Sequence, residues 1–315
     1  MRFWRSISAV AFSLAMPVLG WAAEGHGEAH GGHAAEAASG LPTAAPILFH
    51  LGPLPVSNSM VLTWFVAALV ILFAQSATRN IQMVPKGAQN FWEWLVEGLS
   101  SFLEGLIGSH LVQKTFWFFG ALFIFIVATN WSGLFPGVGT IGYGVQTAHG
   151  FHVTEPLLRG AHADFNMTFA MSLVFFALWT IWAIQENGFG GFLKHIFAPK
   201  GETSGALFIL MVAVFFAVGL LEIVSIAFRP VSLSFRLYGN IFAGENMLEA
   251  MTHLGGPLFG WLTALPFYFM ELMVGLVQAL VFMLLTAVFT LLICTHEEGE
   301  GHGHDHDKDH AGNGH

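Results

Sequence analysis

The sequence predicts an all-α integral membrane protein with about five membrane helices plus one amphipathic surface helix. Three observations lead there. First, of 315 residues 55% are hydrophobic and 10% charged, with a mean hydropathy of +0.64; soluble domains carry about 25% charged residues. Second, apolar runs long enough for the ~20-residue crossing of a bilayer recur along the chain. Third, basic residues gather in alternate connections between those runs. The 32 Phe and 10 Trp suit side chains that face lipid and its interfaces. One cysteine, Cys294, excludes a disulfide framework. The formal charge of −9 comes with no basic patch that would mark a nucleic-acid binder.

The chain opens with Arg2 and Arg5 ahead of an apolar stretch that contains Pro17 and ends in small residues at Gly20 and Ala22. Residues 1–22 read as a signal peptide, with an uncleaved spanning helix as the alternative. Residues 23–57, rich in Gly, Ala, Pro and His (His26, His30, His33), are expected to form a loosely ordered external arm. The membrane domain is expected over 58–295. Its first span is about 59–78, followed by Arg79 and Lys86. Over 88–112 apolar residues recur at helical spacing and alternate with Glu93, Glu97 and Glu104, which predicts a helix lying at the surface. The second span is about 115–135. A Gly-rich loop is expected over 136–165, then a third span over about 166–185. The fourth element, about 205–252, is long and is expected to be interrupted at Pro230. The fifth, about 257–294, is also longer than a simple crossing. Residues 296–315 alternate His, Asp and Gly and are expected to be a solvated, disordered cytoplasmic tail.

Arg79, Lys86, Lys114, Lys194, Lys200 and Lys308 fall in one set of connections and Arg159 alone in the other. The positive-inside rule makes the first set cytoplasmic. Five crossings then place the mature N-terminus outside and the C-terminus in the cytoplasm, in agreement with a secretory leader.

Several polar groups lie within the last two apolar elements: Glu222, Arg229, Arg236, Asn240, Glu245, Glu271 and Gln278. An arginine near the centre of a spanning helix costs about 2.5–3.5 kcal/mol on insertion scales, so intramembrane ionisable groups are functional candidates. Asn240, four residues after Arg236, shares its face. Arg229 and Glu222, seven and fourteen residues before it, fall near the same stripe, and their i, i+7 spacing suits a structural ion pair. Glu245 lies on the opposite side of the helix from Arg236. Glu271 and Gln278 share one face of the last element. A fixed cation between two acidic, hydratable zones fits a proton path with a barrier at its middle. No acidic residue lies within one helical turn of Arg236, so its partner is expected elsewhere, on another chain.

The stretch PVSLSFRLYGN (230–240) followed by FAGE (242–245) resembles the signature of subunit a of the F-type ATP synthase, the stator subunit of its membrane motor. QALVF (278–282) resembles the family's second motif, and NWSGLFPG (130–137) and DFNMT (164–168) resemble weaker stretches. The resemblance covers roughly residues 45–295. It implies that Arg236 faces the ion-carrying carboxylate of a rotating c ring and blocks a leak between two half-channels. It also implies that Asn240, Glu245, Glu271 and Gln278 line the proton route, with Glu222 on the exit side. Some relatives carry His at the Glu271 position; with Glu at both 245 and 271, the two carboxyls are expected to approach one another. The resemblance implies two long C-terminal helices tilted to wrap the ring. It implies as partners the c ring, the peripheral-stalk b subunits and the F1 catalytic sector, in a bacterial inner membrane.

No Gly-rich phosphate loop occurs, so no catalytic site and no cofactor are expected in this chain. The His-rich ends raise one alternative, a divalent-metal transporter. That would need a His/Asp/Glu cluster at the midplane, where this sequence has an arginine, so no metal site is expected. A structural membrane scaffold is the other alternative.

Overall fold

The computed structural model describes residues 45–294 except 53, 140, 148–149 and 198–205. The leader, His26, His30, His33, Lys200 and the His-rich tail lie outside the described residues. The described chain runs β1 (Ile47–Leu51), β2 (Leu54–Ser57), α1 (Asn58–Thr78), α2 (Ala88–Ile107) and α3 (Ser109–Gly133). It continues through β3 (Pro136–Gly139), β4 (Gly142–Thr147), β5 (Gly150–Pro156), a 3-10 turn (Ala161–Ala163), α4 (Phe165–Phe197), α5 (Ala206–Leu254) and α6 (Gly256–Cys294). Five helices, all but α2, are long and apolar enough to cross a membrane.

The chain enters α1 through a Ser57 N-cap, whose hydroxyl accepts from the Met60 amide. In α2 the buried side chains Gln89, Trp92, Leu99, Leu103 and Ile107 recur at intervals of three, four and seven, while Glu97 and Glu104 are exposed. One stripe packs inward and the other faces away, as an amphipathic surface helix requires. The expected surface helix over 88–112 ends five residues early. Gly108, at φ +79°, stops α2 and starts α3 six residues before the expected span; a side chain there would sit in the disfavoured left-handed region.

The expected Gly-rich loop and the last part of the external arm are more ordered than anticipated. β1 and β2 form one antiparallel hairpin and β4 and β5 another. The Asn58 side chain donates to the Pro156 carbonyl at 2.9 Å, tying the second hairpin to the start of α1. Backbone pairing within each hairpin satisfies the polar groups on the facing edges of these short strands. They lie where α1 and α4 begin and α3 ends, here termed the hairpin end.

Pro230 does not interrupt α5, which runs unbroken for 49 residues. Proline removes one backbone donor, but tolerance of proline is common in membrane helices whose neighbours repair the ladder. The donor that Pro230 lacks would have gone to the Ile226 carbonyl; the Ser234 hydroxyl donates to the carbonyl of Pro230 itself at 2.7 Å, an added bond on the following turn, and Pro230 is buried. α4, the third expected span, bends at Gly188 (φ +68°) and continues to Phe197, beyond the expected end near 185.

α5 and α6 form an antiparallel hairpin whose turn is Gly255–Gly256, with Gly256 at φ +65°. Phe118, Phe119, Leu122 and Ile126 of α3, Phe175 and Trp179 of α4, Leu237 of α5 and Phe282 and Met283 of α6 share the core. Lipid is as apolar as these side chains, so contact geometry and hydrogen bonds hold the helices together. Four side chains donate to carbonyls of α6: Asn130 to Gly275 (2.9 Å), Trp131 to Leu272 (3.1 Å), Trp179 to Phe289 (3.0 Å) and Asn187 to Ile293 (2.8 Å). They fasten α6 to α3 and α4 along most of its length.

Candidate functional site

The polar residues of α5 and α6 divide by position along the bundle. At ~1.5 Å per residue, Glu245 lies about 13 Å from Arg236 toward the hairpin end. Glu222 lies about 21 Å from Arg236 in the other direction.

Arg236 is exposed and has no hydrogen bond or ion pair among the described residues. Phe235, next to it in the chain, is exposed as well, as is Phe228 two turns away. One turn on, Asn240 donates to the Gln278 side-chain oxygen at 2.6 Å, joining α5 to α6. The Gln278 amide nitrogen is buried without a partner among the described residues.

Glu245 and Glu271 meet farther toward the hairpin end. Both line a cavity of about 10 Å³ together with Asn130, Gly160 and His162, a space for about one water molecule. Glycines make the room. A Cβ on Gly244 would overlap the Glu271 carboxyl, and one on Gly160 would overlap the Glu245 carboxyl. Glu271 is 5% exposed. One oxygen of each carboxyl, Oε2 of Glu245 and Oε1 of Glu271, is buried with no partner among the described residues. The Glu271 carboxyl and the buried Arg159 guanidinium both act electrostatically on Glu245. An enclosed pair of carboxyls beside one cation can hold, share and release a proton.

On the other side of Arg236, Glu222 is half-exposed and pairs with Arg229 at 3.1 Å. The Arg229 guanidinium also lies 4.5 Å from the Phe289 ring centre and 5.4 Å from that of Trp179. Arg229 is thus held by its own bundle, unlike Arg236.

The structure therefore brings Glu245 to Glu271, Asn240 to Gln278 and Glu222 to Arg229, and leaves Arg236 apart. Sequence reasoning passed over three members of the hairpin-end cluster. Arg159 served only to set orientation, yet it is 2% exposed. Its signal was that it is the single basic residue in its set of connections. His162 lies in the short turn, and its Nδ1 is 2.7 Å from the Asn130 side-chain oxygen. Burial pushes its imidazole down to about 3. Asp164 accepts from the Ser59 hydroxyl at 2.8 Å and from the Asn166 amide at 3.0 Å, which fixes the start of α4. Asn130 and Asp164 belong to the two weaker family-like stretches. Among the described residues, no three His, Cys, Asp or Glu side chains are grouped to hold a metal ion.

The sequence profile of the family described as ATP synthase A chain matches residues 60–290. ATP synthase subunit a of Gloeobacter violaceus is 33% identical over 242 residues, covering 76% of this chain and 85% of the relative. That of Solidesulfovibrio magneticus is 32% identical over 234 residues, covering 74% and 83%. A relative from Propionigenium modestum, described as sodium ion specific, is 29% identical over 254 residues, covering 81% and 80%. The matches span all five candidate membrane helices, and the chain belongs to the ATP synthase subunit a family, a multi-pass membrane component of the F-type ATP synthase rather than its catalytic subunit.

Proposed function

We propose that this chain conducts protons along two half-paths that meet at Arg236 and exchanges them with the carboxylates of a rotating c ring. The observation that carries this reading is the order along α5: an exposed, unpaired arginine between the Glu245/Glu271 cavity on one side and Glu222 on the other. The cavity is the inlet, the Asn240–Gln278 pair lies between it and Arg236, and Glu222 marks the outlet. Arg236 keeps its proton at any physiological pH and so passes none on. Its charge favours the ionised form of a carboxylate brought opposite it and repels a proton moving straight through. The exposed apolar side chains along this stretch of α5, Phe235 next to it and Phe228 two turns away, suit a lipid-embedded partner.

Helices of 49 and 39 residues measure about 74 and 58 Å, against a hydrocarbon thickness of ~30 Å. That excess supports strong tilt and wrapping around the ring. Peripheral-stalk b subunits hold the chain against rotation, and the F1 sector performs the nucleotide chemistry. The asymmetry of basic residues supports a cytoplasmic C-terminus and a hairpin end outside the cytoplasm of a bacterial inner membrane. Residues 1–22 are a leader, 23–57 an external arm and 296–315 a cytoplasmic tail.

ATP-driven proton pumping and passive proton leak, measured in membrane vesicles carrying Arg236→Ala in the assembled complex, test this reading. The expected result is loss of coupled pumping, with a leak added where the two half-paths join. Normal pumping without a leak overturns it.

A further inference from the structure

His162 is 1% exposed and lines the cavity that contains Glu245 and Glu271. Its tautomer follows from its neighbours. Asn130 donates through its amide nitrogen to the Gly275 carbonyl, so its side-chain oxygen faces the imidazole as an acceptor. Nδ1 must then carry the hydrogen and donate it. The Thr129 hydroxyl, 3.3 Å from the same Nδ1, already donates to the carbonyls of Phe125 and Ile126. Nε2 is left as a bare lone pair, buried, with no partner among the described residues. A buried imidazole nitrogen with no partner is costly unless it is used.

We propose that His162 is a positioning residue of the inlet: anchored through Nδ1 on Asn130, it uses Nε2 to accept a hydrogen bond from the water that relays protons between Glu245 and Glu271. The inference rests on the reading of the cavity as a conducting inlet. It adds an imidazole supplied from the turn before α4, outside the α5–α6 hairpin that provides the carboxyls. Because burial holds the imidazole neutral far below physiological pH, it keeps its one hydrogen on Nδ1, orients the relay and passes no proton on. A water that accepts from one carboxyl while donating to the other has a second hydrogen to place. Nε2 gives it a fixed direction, which keeps the transfer geometry from being lost to rotation.

Two substitutions separate the anchor from the acceptor. His162→Asn keeps a donor near the Nδ1 position but has no atom where Nε2 sits. His162→Gln reaches the Nε2 position with its amide oxygen but lacks the anchor. ATP-driven proton flow per assembled complex is measured in vesicles for both variants, with Glu271→Gln alongside. The expected result is flow about tenfold lower in His162→Asn, the effect of one lost hydrogen bond in the transfer step, and within about threefold of the unsubstituted protein in His162→Gln. A merely structural turn anchor predicts the reverse order. Near-normal flow in His162→Asn, or a Gln variant as slow as the Asn variant, overturns the inference while loss of flow in Glu271→Gln leaves the inlet standing. Near-normal flow in Glu271→Gln overturns the inlet itself.

Discussion

Replacing Gly244 by alanine tests whether the position of the Glu271 carboxyl governs proton flow. A Cβ at 244 lands on that carboxyl, overlapping both oxygens and the carbon between them. Glu271 is buried, so its carboxyl must leave its place or the α5–α6 hairpin must open. Overpacking of this kind costs about 1–3 kcal/mol. If the cost falls on the transfer step, flow drops roughly 5- to 150-fold. Gly98→Ala is the control: the same substitution in a helix with nothing within 4 Å of the added Cβ. There alanine gains about 0.5–1 kcal/mol of backbone preference. Pumping is measured in inverted vesicles and normalised to the amount of assembled complex. Equal pumping by Gly244→Ala and Gly98→Ala would show that the Glu271 position does not matter, and the reasoning from the cavity would be refuted.

Three further outcomes follow from single contacts. A double-mutant cycle with Asn240→Leu and Gln278→Leu, read by unfolding in detergent, is expected to give a coupling of about 0.6–1.7 kcal/mol, the range for polar pairs between membrane helices; zero coupling would show that the 2.6 Å contact contributes nothing. Arg229→Ala removes an ion pair and two ring contacts and is expected to destabilise the bundle by about 1–2 kcal/mol, with Phe289→Leu reproducing part of that loss; an unchanged melting temperature in both would contradict it. His162 binds its proton more weakly folded than unfolded, with a value lowered from 6.5 to about 3. Its contribution to stability is therefore complete above pH ~6.5 and falls as pH drops toward 3, by about 1.4 kcal/mol per unit in that window. Unfolding at pH 7.5 and pH 5 should show this loss in the unsubstituted chain and not in His162→Gln; identical slopes would refute the burial argument.

Much of the bundle was legible because a membrane leaves few choices. With no water to satisfy backbone groups, long apolar runs must be helices, and the spans near 59–78 and 257–294 match α1 and α6 to within a residue or so. Boundaries failed where one residue's backbone decided the matter, as at Gly108 between α2 and α3. The hairpins were missed because 23–57 reads as a loosely ordered arm and 136–165 as a glycine-rich loop, and strand pairing between such segments has no strong alternating pattern. Pro230 misled because a proline's effect on a membrane helix depends on the packing around it, and Pro230 is buried in its bundle.

By itself the sequence determined that this is a polytopic helical protein, that Arg236 has no local partner, and that Arg229 and Glu222 share a stripe. Those conclusions depend on composition and on a helical period, both local properties. The family resemblance led to the expectation that Glu245 and Glu271 approach; only the tertiary structure decided that they share one water-sized space, that His162 from the turn before α4 lines it, and that Arg159 acts on Glu245. Glu245 and Gly160 are 85 positions apart in the chain. Only the packing of α3, α5 and α6 around that turn brings them together, and no periodicity along one segment encodes a contact between segments.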